Sequence, residues 1–233
     1  MSNIYTNGEY LEATRSWHAE DSPWKAEQIY DIIKRNNIRA QNIVEVGCGA
    51  GGVLCELSRK PLFMDARFLG FDISPHAIEL ARQKDQDRVE YRCGDIFSIG
   101  NADADMLLAI DVFEHVPDYM GFLSKCRSFA TFKIYHIPLD IHASAVLRDT
   151  FISTRYGVGH LHFFTEATAL ATLRDTGHEI VDHCLTNGAM GLFRQHPTVR
   201  RALANVPRWL MSQASPSLTA RILGGYSLLA LTR

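Results

Sequence analysis

The chain predicts an α/β fold, Rossmann-like and doubly wound. It should hold one mostly parallel seven-stranded sheet, with an antiparallel last strand and a helical insert before it. Three observations carry this. Short apolar runs alternate with segments of helical periodicity, the pattern of a parallel sheet covered on both faces. The first apolar run ends in a glycine-rich loop, VEVGCGAGG (44–52). The last two runs, EIVDHCLT (179–186) and YSLLALTR (226–233), are separated by a long connection, compatible with an antiparallel final strand. At 233 residues, with 46% apolar and 21% charged residues, the chain fills one large domain rather than two.

The elements follow in order. SPWKAEQIYDIIKRN (22–36) has helical apolar spacing behind a serine cap and a proline in the first turn. NIVEVGC (42–48) is the first strand, and GVLCELSRK the helix after its loop. RFLGFDI (67–73) is the second strand, and Ser74-Pro75 open the helix HAIELARQK. VEYRCGDI (89–96), ADMLLAIDV (104–112) and FKIYHIPL (132–139) are the third, fourth and fifth strands. TEATALATLRDTGH (165–178) is a helix with a glycine stop. The insert, roughly 190–222, reads as helical and broken by Pro197, Pro207 and Pro216. The domain therefore divides into an N-terminal helical lid (1–40), a core (41–186), an Arg-rich helical insert (187–224) and a final strand (225–233).

Composition excludes several classes. No apolar run approaches the ~20 residues needed to span a bilayer, and the first residues have neither the basic nor the apolar region of a secretion signal. Five cysteines, odd in number and without a CxxC pair, read as reduced residues of a cytoplasmic protein. A pI of about 6.5, sparse lysines and no basic-aromatic platform argue against a nucleic-acid partner. Charge is uneven, however. The 51 residues after Asp182 hold six arginines and no acid, while the first 182 hold 18 basic and 26 acidic residues, a balance of −8. Either the C-terminal part faces something anionic, or its arginines pair with the acidic body.

Gly47, Gly49 and Gly52 satisfy a dinucleotide-loop pattern, yet Glu45 stands two residues before the first glycine. A pyrophosphate would be repelled there, whereas a cation would be favoured. S-adenosylmethionine, with its sulfonium and ammonium, is such a ligand. Three further acids close strands: Asp72 the second, Asp95 (followed by Ile96) the third, and Asp111 the fourth. Carboxylates gathered at one crevice need a ligand that offers donors and positive charge. Asp72 suits ribose hydroxyls, Asp95 an adenine amino group, and Ile96 the face of the ring.

On VEVGCGAGG, FLGFDIS, CGDIF and LLAIDVFEHVPD, in that order over about 42–118, the chain resembles the class I S-adenosylmethionine-dependent methyltransferases. GHLHFFTEATALATLRDTGHEIV (159–181) is similar to the late helix and strand of their small-molecule branch, the bacterial sugar, capsule and natural-product tailoring enzymes. The resemblance implies that Gly47, Gly49, Asp72, Ile73, Asp95, Ile96 and Asp111 line a cofactor pocket with Glu45 behind the loop. It also offers Trp17, Trp24 and Lys25 as lid residues, with Trp24 alternatively plain packing.

Transfer to an oxygen of high pKa needs a base; transfer to an acceptor already ionised needs only cationic positioning. Glu114 and His115 follow the fourth strand, Asp140 and His142 follow the fifth, and His160 and His162 return after two glycines. Three readings remain open. One of His115, His142 or His160 is a general base, with Asp140 nearby. Alternatively Asp111, Glu114, His115 and a later histidine hold a divalent metal, in a D-x-x-E-H cluster similar to the E-x-x-E-H of small-RNA 2′-O-methyltransferases. Or the Glu-His pair is structural. In a strand-like HLH, His160 and His162 would share a side, and His136, inside a strand, is assigned to the core.

Arginines 148, 155, 194, 200, 201 and 208 suit a small anionic acceptor, phosphorylated, nucleotide-linked or sugar-like. Trp209, Leu210, Met211, Ile222 and Leu223 in the insert could cover the core, or dock on a membrane surface or on a second subunit in a homodimer. The expected function is thus O-methylation of a small metabolite. A cofactor-binding protein without catalysis and a nicotinamide-dependent oxidoreductase stand as alternatives.

Overall fold

The computed structural model describes residues 19–84, 87–98, 103–195 and 199–233. Seven strands form one sheet in the order β3-β2-β1-β4-β5-β7-β6. They are β1 (Asn42–Val46), β2 (Arg67–Asp72), β3 (Val89–Cys93), β4 (Ala104–Ile110), β5 (Ala130–Pro138), β6 (Ile180–Thr186) and β7 (Ser227–Thr232). β1 to β5 run parallel to one another, and β7 is antiparallel to both β5 and β6. The expected fold class is therefore present, last strand included.

The central strands bury both faces because helices cover both. Met106, Leu107, Leu108 and Ala109 of β4 are all fully buried: the even pair faces one apolar cluster and the odd pair the other. α1 (Ser22–Arg35), α2 (Gly52–Leu57) and α3 (Pro75–Arg82) pack in the first cluster through Ile29, Leu54 and Ile78. α4 (Tyr119–Phe129) and α7 (Glu166–Asp175) pack in the second through Leu123 and Leu173. Pro75 and Ser74 open α3 as the sequence indicates, the Ser74 hydroxyl accepting from Ala77 N.

α4, α5 (Ala143–Arg148) and α6 (Phe151–Gly157) have no counterpart in the sequence reading. In the insert, α8 (Gly188–Gln195), α9 (Val199–Ala214) and α10 (Pro216–Leu223) bear out its helical character, but α9 runs through Pro207 rather than breaking there. Pro216 does start a helix, at the first position where a missing N–H costs nothing. Trp17 and Pro197 lie outside the described residues, as does the part of the 1–40 lid before residue 19.

Strand order reverses at β1, whose neighbours are β2 and β4. Ligands of open α/β sheets bind beyond the carboxyl ends of strands at this switch point, which is where the crevice described next opens.

Candidate active site

The crevice encloses about 1180 Å³. Its floor is the loop after β1. Gly47 takes φ +69°, and a Cβ there would lie 2.7 Å from Val112 Cγ2. The turn therefore needs glycine for both its backbone and its packing. Gly47→Ala is expected to cost about 1–2 kcal/mol of stability from backbone strain. The melting temperature should fall by roughly 2–8 °C for a chain of this size, read by thermal unfolding.

Asp72, at the end of β2, ties the loop to the second strand. Its Oδ2 accepts from Gly49 N at 2.9 Å and its Oδ1 from Ser74 N at 2.8 Å. Burial raises its pKa, and the two backbone N–H groups oppose that rise. Tyr91 of β3 props the loop from the side, donating to Gly51 O at 2.7 Å. Asp95, Ile96 and Ile73 line the same end, with Ile96 buried and Ile73 half exposed. Beside them a Cβ on Gly94 would meet nothing within 4 Å, leaving an open cradle.

Glu45 is buried at the inner wall, and its Oε2 makes no hydrogen bond among the described residues. Burial pushes its carboxyl up to about 8, with the Lys25 charge opposing and Asp72 adding to the rise. Asp111 closes β4 with φ +54°. Its Oδ2 pairs with Lys25 Nζ of α1 at 2.7 Å and its Oδ1 with His136 Nδ1 of β5 at 2.6 Å. Burial disfavours the Asp111 charge, but its contacts with His136 and Lys25 outweigh burial and hold the carboxyl well below the usual carboxylate range.

These residues fit S-adenosylmethionine. Asp72 keeps lone pairs for a ribose diol, Asp95 and the two isoleucines flank a flat ring, and the buried Glu45 oxygen without a hydrogen bond among the described residues suits a cationic group. Every residue expected in the cofactor pocket lines this crevice: Glu45, Gly47, Gly49, Asp72, Ile73, Asp95, Ile96 and Asp111.

The expected catalytic group divides. His115 and His160 line the crevice, their rings meeting edge to face at 4.9 Å. His160 Nδ1 lies 2.6 Å from Asp140 Oδ2, so Asp140 stands behind His160 rather than in the crevice lining. His115 Nδ1 donates to Gly159 O at 3.0 Å, which places the ring's lone pair on Nε2. Burial lowers the His115 pKa to about 4.

His142 is not part of the site. It caps α5, its Nδ1 accepting from Ala145 N at 3.1 Å, and its ring packs under Gly224. Nor do His160 and His162 share a side: the segment is not a strand, and His162 Nε2 donates to Val116 O against Tyr119. Two assignments to the core also change. His136 is buried in β5 yet lines the crevice, bridging Asp111 and, through Nε2, Thr186 Oγ1 at 3.0 Å. Trp24 lines it too, edge-on to His136.

Glu114, His115 and His160 offer ligand atoms within 4.8 Å of one another. The expected metal set included Asp111, but Lys25 and His136 engage its two oxygens, and it lies outside this group. Of the arginines expected at an anionic acceptor, Arg155 lines the crevice. Arg208 instead donates to the carbonyls of Gly224 and Leu223, stapling α9 to the turn before β7, and Arg148 donates back to Ser144 O. The side chains of Arg194, Arg200 and Arg201 lie outside the described residues.

Residues 44–130 match the family model described as a methyltransferase domain. A ubiquinone biosynthesis O-methyltransferase of Rhodopseudomonas palustris is 33% identical over 97 residues, 40% of this chain and 37% of the relative. The chain thus spans little more than a third of the curated relatives it matches. Among solved structures, magnesium protoporphyrin IX methyltransferase from Synechocystis, with bound S-adenosylhomocysteine, superposes with a TM-score of 0.60. It is 17% identical, covering 95% of this chain and 86% of that one. Phosphoethanolamine N-methyltransferase 2 of Haemonchus contortus gives 0.64 at 14% identity, over 96% of this chain and 59% of its own.

Proposed function

We propose that this chain, a class I S-adenosylmethionine-dependent methyltransferase by its matched domain and its fold, methylates an oxygen of a small acceptor with His160 as general base. The observation that carries the reading is the His160–Asp140 pair, 2.6 Å apart, in which His160 lines the same crevice as the residues that suit the methyl donor. When bound, S-adenosylmethionine supplies an electrophilic methyl group on a positively charged sulfur. The protein's part is alignment and a proton acceptor. Asp140 accepts a hydrogen bond from Nδ1–H, so His160 presents a lone pair on Nε2 and its imidazolium has a carboxylate behind it. His115, with a pKa near 4, holds a proton too weakly for that role and serves as a wall that orients His160.

The curated relatives support oxygen as the target, being named O-methyltransferases. Arg155 supports an anionic acceptor, phosphorylated, nucleotide-linked or sugar-like. A solved neighbour of the same fold holds phosphomonomethylethanolamine, which shows that the fold accommodates such a substrate in that protein. The test is a screen of phosphorylated and nucleotide-linked metabolites, with a quinol precursor as comparator, for methyl transfer read by mass spectrometry. Donor binding without turnover on any acceptor would leave a non-catalytic cofactor-binding protein.

A second reading has its own observation. Glu114 is fully buried, neither carboxylate oxygen makes a hydrogen bond among the described residues, and two histidines lie within ligand range. Mixed oxygen and nitrogen donors suit manganese, iron or zinc. Treatment with a chelator is then expected to abolish turnover and elemental analysis to find about one ion per chain. Full activity after chelation, with no ion found, removes this reading.

Glu45 gives donor binding a pH dependence. With its carboxyl at about 8, it is neutral in the empty pocket near neutral pH, and taking up a cation expels its proton. Affinity for S-adenosylmethionine should rise with pH, by up to about tenfold per unit, until it levels off near pH ~8. The stability of the ligand-free chain runs the other way. It is greatest below the ordinary carboxylate pKa and falls as pH rises through about 8, because the unfolded chain loses that proton first. Calorimetry in buffers of different ionisation heat reads the released proton. A flat profile in the wild type, or an unchanged slope in Glu45→Gln, would contradict the assignment.

A further inference from the structure

Several helices outside the sheet turn apolar side chains to solvent. On α5, Leu147 is 86% exposed, and on α6 Ile152 and Tyr156 (81% exposed) stand one turn apart. On α9, Val206, Trp209 and Leu210 form an i, i+3, i+4 stripe that is exposed, while Asn205 is buried and Arg208 is bonded inward. α10 repeats the arrangement with exposed Leu218 and Ile222 above buried Thr219 and Ala220. α10 packs against both α5 and α9, and α6 follows α5 after Asp149 and Thr150, so the four helices are contiguous. A core-covering role accounts for the inward faces only.

The charge beside these stripes is mostly positive, with Asp149 at the end of α5 and Glu166 against Ser217 of α10 as acidic neighbours. α9 and α10 hold four arginines and no acid, and nothing after Asp182 is acidic. Exposed Arg221 and Arg148 lie on the same helices as the apolar residues. A symmetric pairing with a second copy sets a patch against itself, and here that would oppose two surfaces of net positive charge. An anionic bilayer surface accepts both components: the apolar stripes enter the headgroup boundary and the arginines meet lipid phosphates. We infer that α5, α6, α9 and α10 form a face that docks on an anionic lipid surface.

The face adjoins the acceptor end of the crevice. Arg155 and Tyr156 of α6 line the crevice, and Gly159, His160 and Leu161 follow directly. Docking would therefore turn the acceptor entrance toward the bilayer, so the acceptor class that fits is amphiphilic, with a polar ring or headgroup to methylate and an apolar tail left in the membrane. This last step rests on the function proposed above; the docking itself does not.

Co-sedimentation of the full chain with vesicles tests it, comparing pure phosphatidylcholine with a mixture containing phosphatidylglycerol. The expected result is binding to the anionic vesicles, weaker with added salt. The double variant Leu147→Glu, Trp209→Glu should lower that binding at least tenfold, with unchanged melting temperature and unchanged calorimetric affinity for S-adenosylhomocysteine. Both positions lie outside the crevice lining. Three outcomes would overturn it: no binding to anionic vesicles, equal binding by wild type and variant, or a dimer seen by light scattering that the same double variant dissolves. Calorimetry on the same samples reports separately on the donor pocket, so failure of the docking face is distinguishable from failure of the proposed reaction.

Discussion

Asp72→Ala is expected to weaken binding of S-adenosylmethionine and S-adenosylhomocysteine roughly a hundredfold or more, the largest effect on affinity of any single change in the crevice. The carboxylate does two things at once. It accepts from Gly49 N and Ser74 N, which fixes the glycine loop against the end of β2. Its remaining lone pairs face the crevice, where a ribose diol would donate. Hydrogen bonds to a charged partner contribute about 1.5–3 kcal/mol each, and losing two corresponds to a factor of at least ~10² in affinity. Asp72→Asn separates the two functions: the amide oxygen keeps one acceptor but presents a donor where another donor must fit, so its affinity should fall between wild type and alanine. Titration calorimetry checks the order, with circular dichroism confirming that the sheet is intact. Wild-type affinity in the alanine variant would remove Asp72 from the cofactor site.

That assignment was legible from sequence because period and position coincide. β1, β2 and β4 each read as an apolar run, with Glu45 near the end of the first before the glycine loop, Asp72 closing the second and Asp111 following the fourth. Parallel strands align these ends at the switch point, so the positions follow from the pattern alone.

The acceptor side was less legible, for identifiable reasons. α6 buries no side chain, so it leaves no core-facing periodicity to recognise, and the helices that turn His142 away from the crevice went unseen with it. His142 then caps a helix, a role that strand-end reasoning does not reach. His136 reads as core because it is buried in a central strand; only its pairing across the sheet with Asp111 brings it to the site. The Lys25–Asp111 pair joins residues 86 positions apart, and no local spacing announces it.

His160→Ala is expected to lower kcat by about 10²–10⁴, the usual range for a lost general base, while leaving the affinity for S-adenosylmethionine within twofold of wild type. The split follows from contacts: His160 pairs with Asp140 and meets the His115 ring, whereas Asp72 holds the glycine loop, so the donor pocket should not register the change. Asp140→Asn should cost less than His160→Ala but in the same parameter, because the amide can still orient the ring yet no longer balances the charge of its imidazolium. His115→Ala should cost least of the three, because burial lowers its pKa to about 4 and its Nδ1 is held by Gly159 O. Acceptor acidity provides the decisive comparison. A base contributes most when the hydroxyl holds its proton tightly, so the deficit of His160→Ala should shrink as the acceptor pKa falls and vanish for an acceptor already ionised. A deficit independent of acceptor pKa would mean that His160 positions the acceptor without taking its proton. If metal analysis then found an ion held with Glu114 and His115, the general-base assignment would give way to the metal reading.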